Sequence, residues 1–391
     1  MDYLQYTKII ILPYNSIDVN SREEIKEFDI SIDEKLKEKL CIEEISLLKK
    51  DEFLNLTPKR SILSMISNPI LYVSQNSISD TLKNFKEGKI YLMLLPGEYN
   101  IENENIIAEN IKIITLSSDT ENYSTVNISS NIIFDCKYFD AKGMKFTINK
   151  NKDSYFDRKY STYSALIFTK KLTYLSFSVC EFTNLSNEVK IFNILEGSEE
   201  VNINNCKFSN SSYEIQKSNI AILTDNIFTS TDSNIRYSNS MFHRNNFNGN
   251  FRMSFFNTYL TQINNNNFID IEAYAYCISA DHKSKLYLTN NKITTTKENF
   301  RLVNVDRHSK CYIDNNDIEI KPDQLLVTVN FESELFVSNN KFNKDDIEIA
   351  GYDCKIFIED NNKLANYDTL AKFFLSERNI IKPSQKYISF C

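Results

Sequence analysis

Apolar and polar positions along this chain fall into one register that runs from its first third almost to its end. Around "LYLTNNKI", "CYIDNNDI" and "LFVSNNKF" an asparagine recurs at Asn226, Asn245, Asn266, Asn291, Asn316, Asn340 and Asn361, at spacings of 19, 21, 25, 25, 24 and 21 residues. Two positions after each of the first six stands a large apolar residue: Phe228, Phe247, Phe268, Ile293, Ile318 and Phe342. Three before it stands another: Leu223, Phe242, Ile263, Leu288, Ile313, Val337 and Ile358. The same frame continues upstream through Cys206 (Ile203, Phe208), Cys180 (Phe177, Phe182) and Met144 (Ala141, Phe146), which makes ten coils. A repeat of roughly 20 to 25 residues, with period-2 apolar positions flanking a polar turn, predicts a solenoid of strands whose coils bury their apolar faces against their neighbours.

Asparagine suits the turn because it tolerates left-handed backbone geometry better than other non-glycine residues. With only 6 Gly and 6 Pro in the chain, it takes over the turn work. At the strand spacing of roughly 4.8 Å, stacked amides can also bond up and down the column. Cys180 and Cys206, standing where two coils lack the asparagine, fit the same small inward slot as packed thiols.

The pattern resembles the right-handed parallel β-helix of the pectin lyase-like superfamily, whose coils commonly carry an asparagine ladder. "ILYVSQNSISDTLKNFKEGKIYLMLLPGEYNI", Ile70 to Ile101, is similar to the strand, helix, strand and Pro-Gly-x-Tyr opening of many members. The resemblance spans about residues 70 to 364. It implies a mainly β fold and leaves activity open, since that architecture hosts lyases, hydrolases, epimerases, phage tailspikes and non-catalytic modules.

Three regions are therefore expected. Residues 1–68 form a small α/β domain or cap: "TKIIIL" reads as a strand, Ser31 with Glu34 makes a capping box before a charged helix, and Thr57-Pro58 starts another. Residues 69–364 form the right-handed parallel β-helix, opened by a helix that Ser77 and Asp80 start and Gly88 ends. Residues 365–391 form a short helical cap, with Leu370, Phe373 and Phe374 at helical spacing. Between Phe146 and Phe182 the repeat lengthens to 36 residues, and the surplus "NKNKDSYFDRKYSTY" is expected to protrude as a loop. Its Asp153, Tyr155, Asp157, Arg158, Lys159 and Tyr160 are candidate contacts.

Composition narrows the partners. A chain of 42% hydrophobic and 25% charged residues with net charge −7 reads as soluble, and its acidic balance argues against nucleic acid as a partner. The N-terminus has one short apolar run with acidic flanks, which fits neither a signal peptide nor a membrane span. Eight cysteines without a C-x-x-C pair argue against zinc and point to free thiols in a reducing, cytoplasmic compartment, although a Cys180–Cys206 disulfide is sterically conceivable. No cofactor and no metal site are expected.

Two sets of residues could carry function. Tyr287, Tyr312, Phe336 and Phe357 alternate with inward-facing Leu286, Leu288, Cys311, Ile313, Leu335, Val337, Ile356 and Ile358, so they should form an outward aromatic stripe. Either a partner or the chain's own C-terminal segment should cover it, and a partner is favoured. Just upstream, "SADHKS", "NVDRHS" and "VNFES" align Asp281, Asp306 and Asn330 in one column, His282, Arg307 and Phe331 in the next, and Lys283, His308 and Glu332 in a third. Carboxylates one strand spacing apart, roughly 5 Å, suit a retaining glycosidase, and the basic neighbours are similar to those of polysaccharide lyases of this fold. Asp281 and Asp306, with Arg307 and His308, are thus the candidate catalytic set. Against them, Asp and Ser are ordinary turn residues, the hydrolase signatures of the superfamily are missing, and the chain has no Trp for a sugar groove. Two function classes remain. The preferred one is a non-catalytic β-helix that presents a flat strand face and loops to a protein or polysaccharide partner; the alternative is a carbohydrate-active enzyme, a polysaccharide lyase or glycoside hydrolase.

Overall fold

The computed structural model describes residues 9–12, 45–46, 70–73, 89–94, 97–101, 104–107, 110–115, 124–149, 163–185, 189–272, 276–295, 301–320, 325–342, 348–358, 373–375 and 380–383. The chain divides into two compact units, Met1–Ser198 and Glu199–Cys391. Each is built of parallel strands stacked coil upon coil, a parallel β-solenoid.

In the second unit the first sheet runs through Ile220–Thr224, Asn239–His243, Thr261–Asn264, Lys285–Thr289, Lys310–Asp314, Glu334–Ser338, Lys355–Ile358 and Ile380–Pro383, each parallel to the next. The second sheet stacks the remaining strands of each coil, beginning with Lys207–Gln216 on Ile227–Arg236. Alternation does the sorting. In Lys285–Thr289 the leucines at 286 and 288 are fully buried while Lys285, Tyr287 and Thr289 stay at the surface. The buried side of the second sheet carries the apolar residues two places after the ladder. Phe208, Phe228, Phe247 and Phe268 lie one above another with ring centroids 5.0, 4.9 and 4.8 Å apart. Burying each such ring contributes about 1.5 to 3 kcal/mol.

The corner between the sheets holds the asparagine ladder. From Asn226 to Asn340 each side-chain Nδ2 donates to the next coil's Oδ1 at 3.0 Å. Its backbone N–H donates to that same oxygen at 2.8 to 2.9 Å. The second amide hydrogen turns back to a strand carbonyl of the preceding coil, as from Asn316 to Leu288 at 2.8 Å. Four bonds thus satisfy an amide that is almost wholly buried. The left-handed residue of this corner is the one before the ladder: Asp225, Arg244, Asn265, Asn290, Asn315 and Asn339 have φ of 52 to 57°. The ladder asparagine is therefore selected for its amide rather than for its backbone tolerance, which corrects the expectation from sequence. A second bend lies within the other sheet, at Ser230, Gly249 and Asp270. At Gly249, with φ 75°, a Cβ would come 2.8 Å from the Ser230 hydroxyl, so a side chain there would strain the backbone and have to displace that hydroxyl.

The first unit follows the same plan. Tyr138–Lys142 pairs with Leu172–Ser178, and Met144–Ile148 with Glu181–Asn184, which stacks Phe146 on Phe182 at 5.2 Å. The strand Ile9–Leu12 lies parallel between Ile70–Val73 and Lys89–Leu94, so part of the segment 1–68 joins the sheet. The helices expected in that segment and after Ser77, the insertion with Asp157, Arg158 and Tyr160, and Asn361 lie outside the described residues.

Most of the segment 365–391 expected to form the helical cap lies outside the described residues, and the parts that are described are strand. Phe373 and Phe374 sit in the strand Phe373–Leu375, which pairs with Glu348–Tyr352, and Ile380–Pro383 continues the first sheet. The apolar pair that reads as helical spacing instead extends the solenoid, because the last coil offers an open row of backbone groups. Among the described residues no helix is long and apolar enough to cross a membrane. The described cysteines, Cys136, Cys180, Cys206, Cys277, Cys311 and Cys354, are free and buried, and burial pushes the Cys136 thiol up to about 12.

Replacing Asn316 by leucine should leave the buried N–H of Asn291 and one hydrogen of its amide without an acceptor, and the Leu288 carbonyl without the Asn316 donor. The expected loss is about 1 to 3 kcal/mol for each group left unsatisfied. Asn246→Leu, at an exposed position outside the ladder, should change denaturant stability far less. Equal losses in the two variants would contradict the ladder's role.

Candidate functional site

The other corner, where the second sheet hands over to the first, is built on a serine column that sequence inspection did not single out. Ser218 donates its backbone N–H to Ser238 Oγ at 2.8 Å, Thr258 to Ser284 at 3.0 Å, Ser284 to Ser309 at 3.1 Å and Ser309 to Ser333 at 3.2 Å. All six residues are buried. The only signal in the sequence was the Ser that closes "SADHKS", "NVDRHS" and "VNFES".

Ahead of each serine in the later coils stand two left-handed residues: His282 and Lys283, Arg307 and His308, Phe331 and Glu332, with φ between 49 and 63°. Paired left-handed residues make a tight turn that throws their side chains outward. The residue before the pair closes the turn. Asp281 Oδ1 accepts the N–H of His282 at 2.8 Å, and Asp306 Oδ1 accepts that of Arg307 at 3.0 Å.

The structure brings Asp281, Asp306 and Arg307 together and separates His308 from them. Arg307 Nη1 lies 3.3 Å from Asp281 Oδ2, and His282 Nδ1 lies 2.9 Å from Asp281 Oδ1. Burial, with the neighbouring Asp281 charge second, pushes the Asp306 carboxyl above the usual carboxylate range. His308 instead faces Glu332, with 3.3 Å between Nδ1 and Oε2. Chemically, this corner offers one carboxyl biased toward protonation beside one that is ion-paired to an arginine. Both oxygens that cap the turns are already committed to backbone N–H groups, as ordinary turn chemistry requires. Among the described residues no group of three His, Cys, Asp or Glu side chains could hold a metal ion.

Beyond the corner, each coil runs into the aromatic stripe. Tyr287, Tyr312, Phe336 and Phe357 occupy one register column on the outer side of the first sheet. Their rings stack nearly parallel, at interplanar angles of 8, 5 and 6° and centroid separations of 4.6, 4.6 and 4.7 Å. The stripe is half-buried. Its ring faces are consumed by one another, so edges and tyrosine hydroxyls are what it presents. Lys285 Nζ lies 5.1 Å over the Tyr287 ring, and Glu334 bridges Lys310 at 2.7 Å and Lys355 at 3.3 Å. The described parts of the C-terminal segment lie in the sheets rather than across the stripe.

Sequence inspection also missed a ridge along the serine corner. Tyr237 and Phe331 are each 50% exposed and Tyr352 is 48% exposed. Tyr237 packs edge-on to Phe256 at 5.5 Å, Phe256 lies 4.2 Å from His282, and Phe331 meets Tyr352 at 6.1 Å. Tyr259, 83% exposed, stands just beyond the same corner. Thr258 aligns with Ser284 and Thr261 with Leu286, so this coil carries one residue more than the next and Tyr259 is pushed out. No family model, curated protein or solved structure matches the chain.

The Asp306 carboxyl makes a pH prediction. A carboxyl whose folded value is raised contributes stability below its unfolded value and loses it as pH rises through the folded value. Asp306→Asn keeps an oxygen for the Arg307 N–H and removes the partly buried charge. Its melting temperature should therefore equal or exceed that of the parent at pH 7, with the difference shrinking in acid. A clear loss of stability at pH 7 would show that the corner depends on the ionised form.

Proposed function

We propose that this chain is a non-catalytic binding protein, a right-handed β-helix of the pectin lyase-like kind, that engages another protein along the serine corner and the adjoining strand face. The reading rests on one observation. Tyr237, Phe331 and Tyr352 are exposed along a single corner, with His282 and Arg307 between them and Tyr259 beside it. Exposed aromatics recurring along one corner are what a partner would cover, and Tyr with Arg are the residues that anchor protein interfaces.

A glycan fits less well. Sugar rings pack on aromatic faces, and the stripe's faces are closed by stacking at 4.6 to 4.7 Å. The free, buried thiols support a reducing compartment such as the cytoplasm. A second reading, a polysaccharide lyase or glycoside hydrolase using Asp281 and Asp306, is favoured only by the raised Asp306 carboxyl and the adjacent Arg307.

The test uses the full chain immobilised against an extract of the cells that make it, with a polysaccharide panel assayed for reducing and unsaturated ends. Phe331→Ser combined with Tyr352→Ser should abolish capture of a specific protein while the melting temperature falls only slightly, because both side chains are half exposed. Undiminished capture would refute the corner as the interface. Sugar release that Asp306→Asn abolishes would establish the enzyme reading in its place.

A further inference from the structure

Between the serine corner and the aromatic stripe lies an open depression of about 540 Å³, lined by Tyr259, Lys283, Ser284, Lys285, His308 and Lys310. Its charge is one-sided. Among the described residues Lys283 and Lys285 have no carboxylate at ion-pair distance, whereas Lys310 has Glu334 and His308 has Glu332. The chain as a whole is acidic, at net −7, so this concentration of cations is local.

The arrangement follows from register. Lys285 and Lys310 are direct partners in adjacent strands, and their Cα atoms are therefore about 4.8 Å apart. Lys283 precedes Lys285 by two residues, at most about 7 Å along the chain. Tyr259, displaced outward by its coil's extra residue, forms one wall, and the ammonium of Lys285 rests over the Tyr287 ring. An extended peptide places its side chains i and i+2 on one side, roughly 6.6 Å apart, and two long, flexible lysines two residues apart can each reach one of them.

We propose that this depression receives an extended acidic segment of a protein partner, with carboxylates at i and i+2 facing Lys283 and Lys285 and Tyr259 lying against its backbone. The proposal rests on the protein-binding reading above and adds the chemistry of the partner. The corner ridge supplies apolar anchoring, and the depression selects charge. Lys310 and His308, each already facing a glutamate, set the far wall rather than the main attraction.

Binding of a fluorescent eight-residue peptide alternating Glu and Ser to the full-length chain tests this, with the Gln-for-Glu peptide, polygalacturonate and inorganic phosphate as comparison probes. The Glu peptide should bind saturably and weaken as salt is raised, and the Gln peptide should bind at least about tenfold more weakly. Lys283→Glu with Lys285→Glu should lower Glu-peptide affinity by about tenfold or more. The milder Lys283→Ala with Lys285→Ala should give a smaller loss in the same direction, which guards against misfolding of the reversal. Lys292→Glu, an exposed lysine on another strand of the same unit, should change nothing. Equal binding of the two peptides, an equal loss in Lys292→Glu, or displacement by phosphate at peptide concentration would overturn the proposal. Tighter binding of polygalacturonate would overturn it in favour of an acidic glycan. Failure here with capture still dependent on Phe331 and Tyr352 would remove the acidic segment and leave the protein-binding reading standing.

Discussion

A solenoid must turn its backbone inward at every coil, and each turn strands peptide N–H groups where no strand partner exists. The asparagine ladder resolves this with one side-chain oxygen per coil. Each Oδ1 accepts the backbone N–H and the amide of the coil before it. Left buried without that acceptor, each donor would cost about 1 to 3 kcal/mol. Because the bonds run vertically, they also fix which residue lies above which. A slip of one residue would break every rung and turn each apolar side chain outward.

Register is what turns a sequence of loosely similar coils into surfaces with chemistry. Once the ladder sets the frame, residues at equal offsets form columns about 4.8 Å apart. Like residues then stack: phenylalanines in the core, serines at the opposite corner, tyrosines and phenylalanines on the outer strand face. The two corners differ in consequence. Asparagine draws its side chain into the core and leaves a single left-handed residue outside. Serine, being shorter, caps from within while two left-handed residues carry His282, Lys283, Arg307, His308, Phe331 and Glu332 into solvent. Outward-pointing charged and aromatic side chains thus accumulate on the serine corner.

The column structure is legible in the sequence, because period-2 burial and a constant polar turn survive coil lengths that vary from 19 to 25 residues. The placement of Tyr287, Tyr312, Phe336 and Phe357 on the outer face followed from the same alternation. What alternation cannot convey is direction through a turn. His308 shares a corner with Asp281 and Asp306, yet its ring points to Glu332, because the second left-handed residue of the turn projects away from the first. Nor does it convey how rings meet. An outward column of aromatics reads as four open faces, and stacking closes all but the ends. Tyr259 was hidden for another reason: its exposure comes from one surplus residue, visible only when Thr258 and Thr261 are both tied to the following coil. Phe373 and Phe374 misled because two adjacent aromatics satisfy helical and strand spacing equally over so short a span.

Electrostatic reach makes the proposed acidic partner compatible with an acidic chain. At physiological salt a charge is screened within about 8 Å, less than the height of two coils. A group entering the depression therefore responds to Lys283, Lys285, His308 and Lys310, with Glu332 and Glu334 as partial counterweights, and not to carboxylates spread over the rest of the solenoid. In such a fold net charge governs solubility, whereas recognition depends on two or three neighbouring rungs. Changing one coil's offset residues alters a local field without disturbing the ladder, since the ladder uses the amides at the opposite corner. The outward-pointing residues of the corner proposed to meet a partner can then vary while the buried asparagine and serine columns stay unchanged, which is the physical condition for a β-solenoid to acquire new partners on one frame.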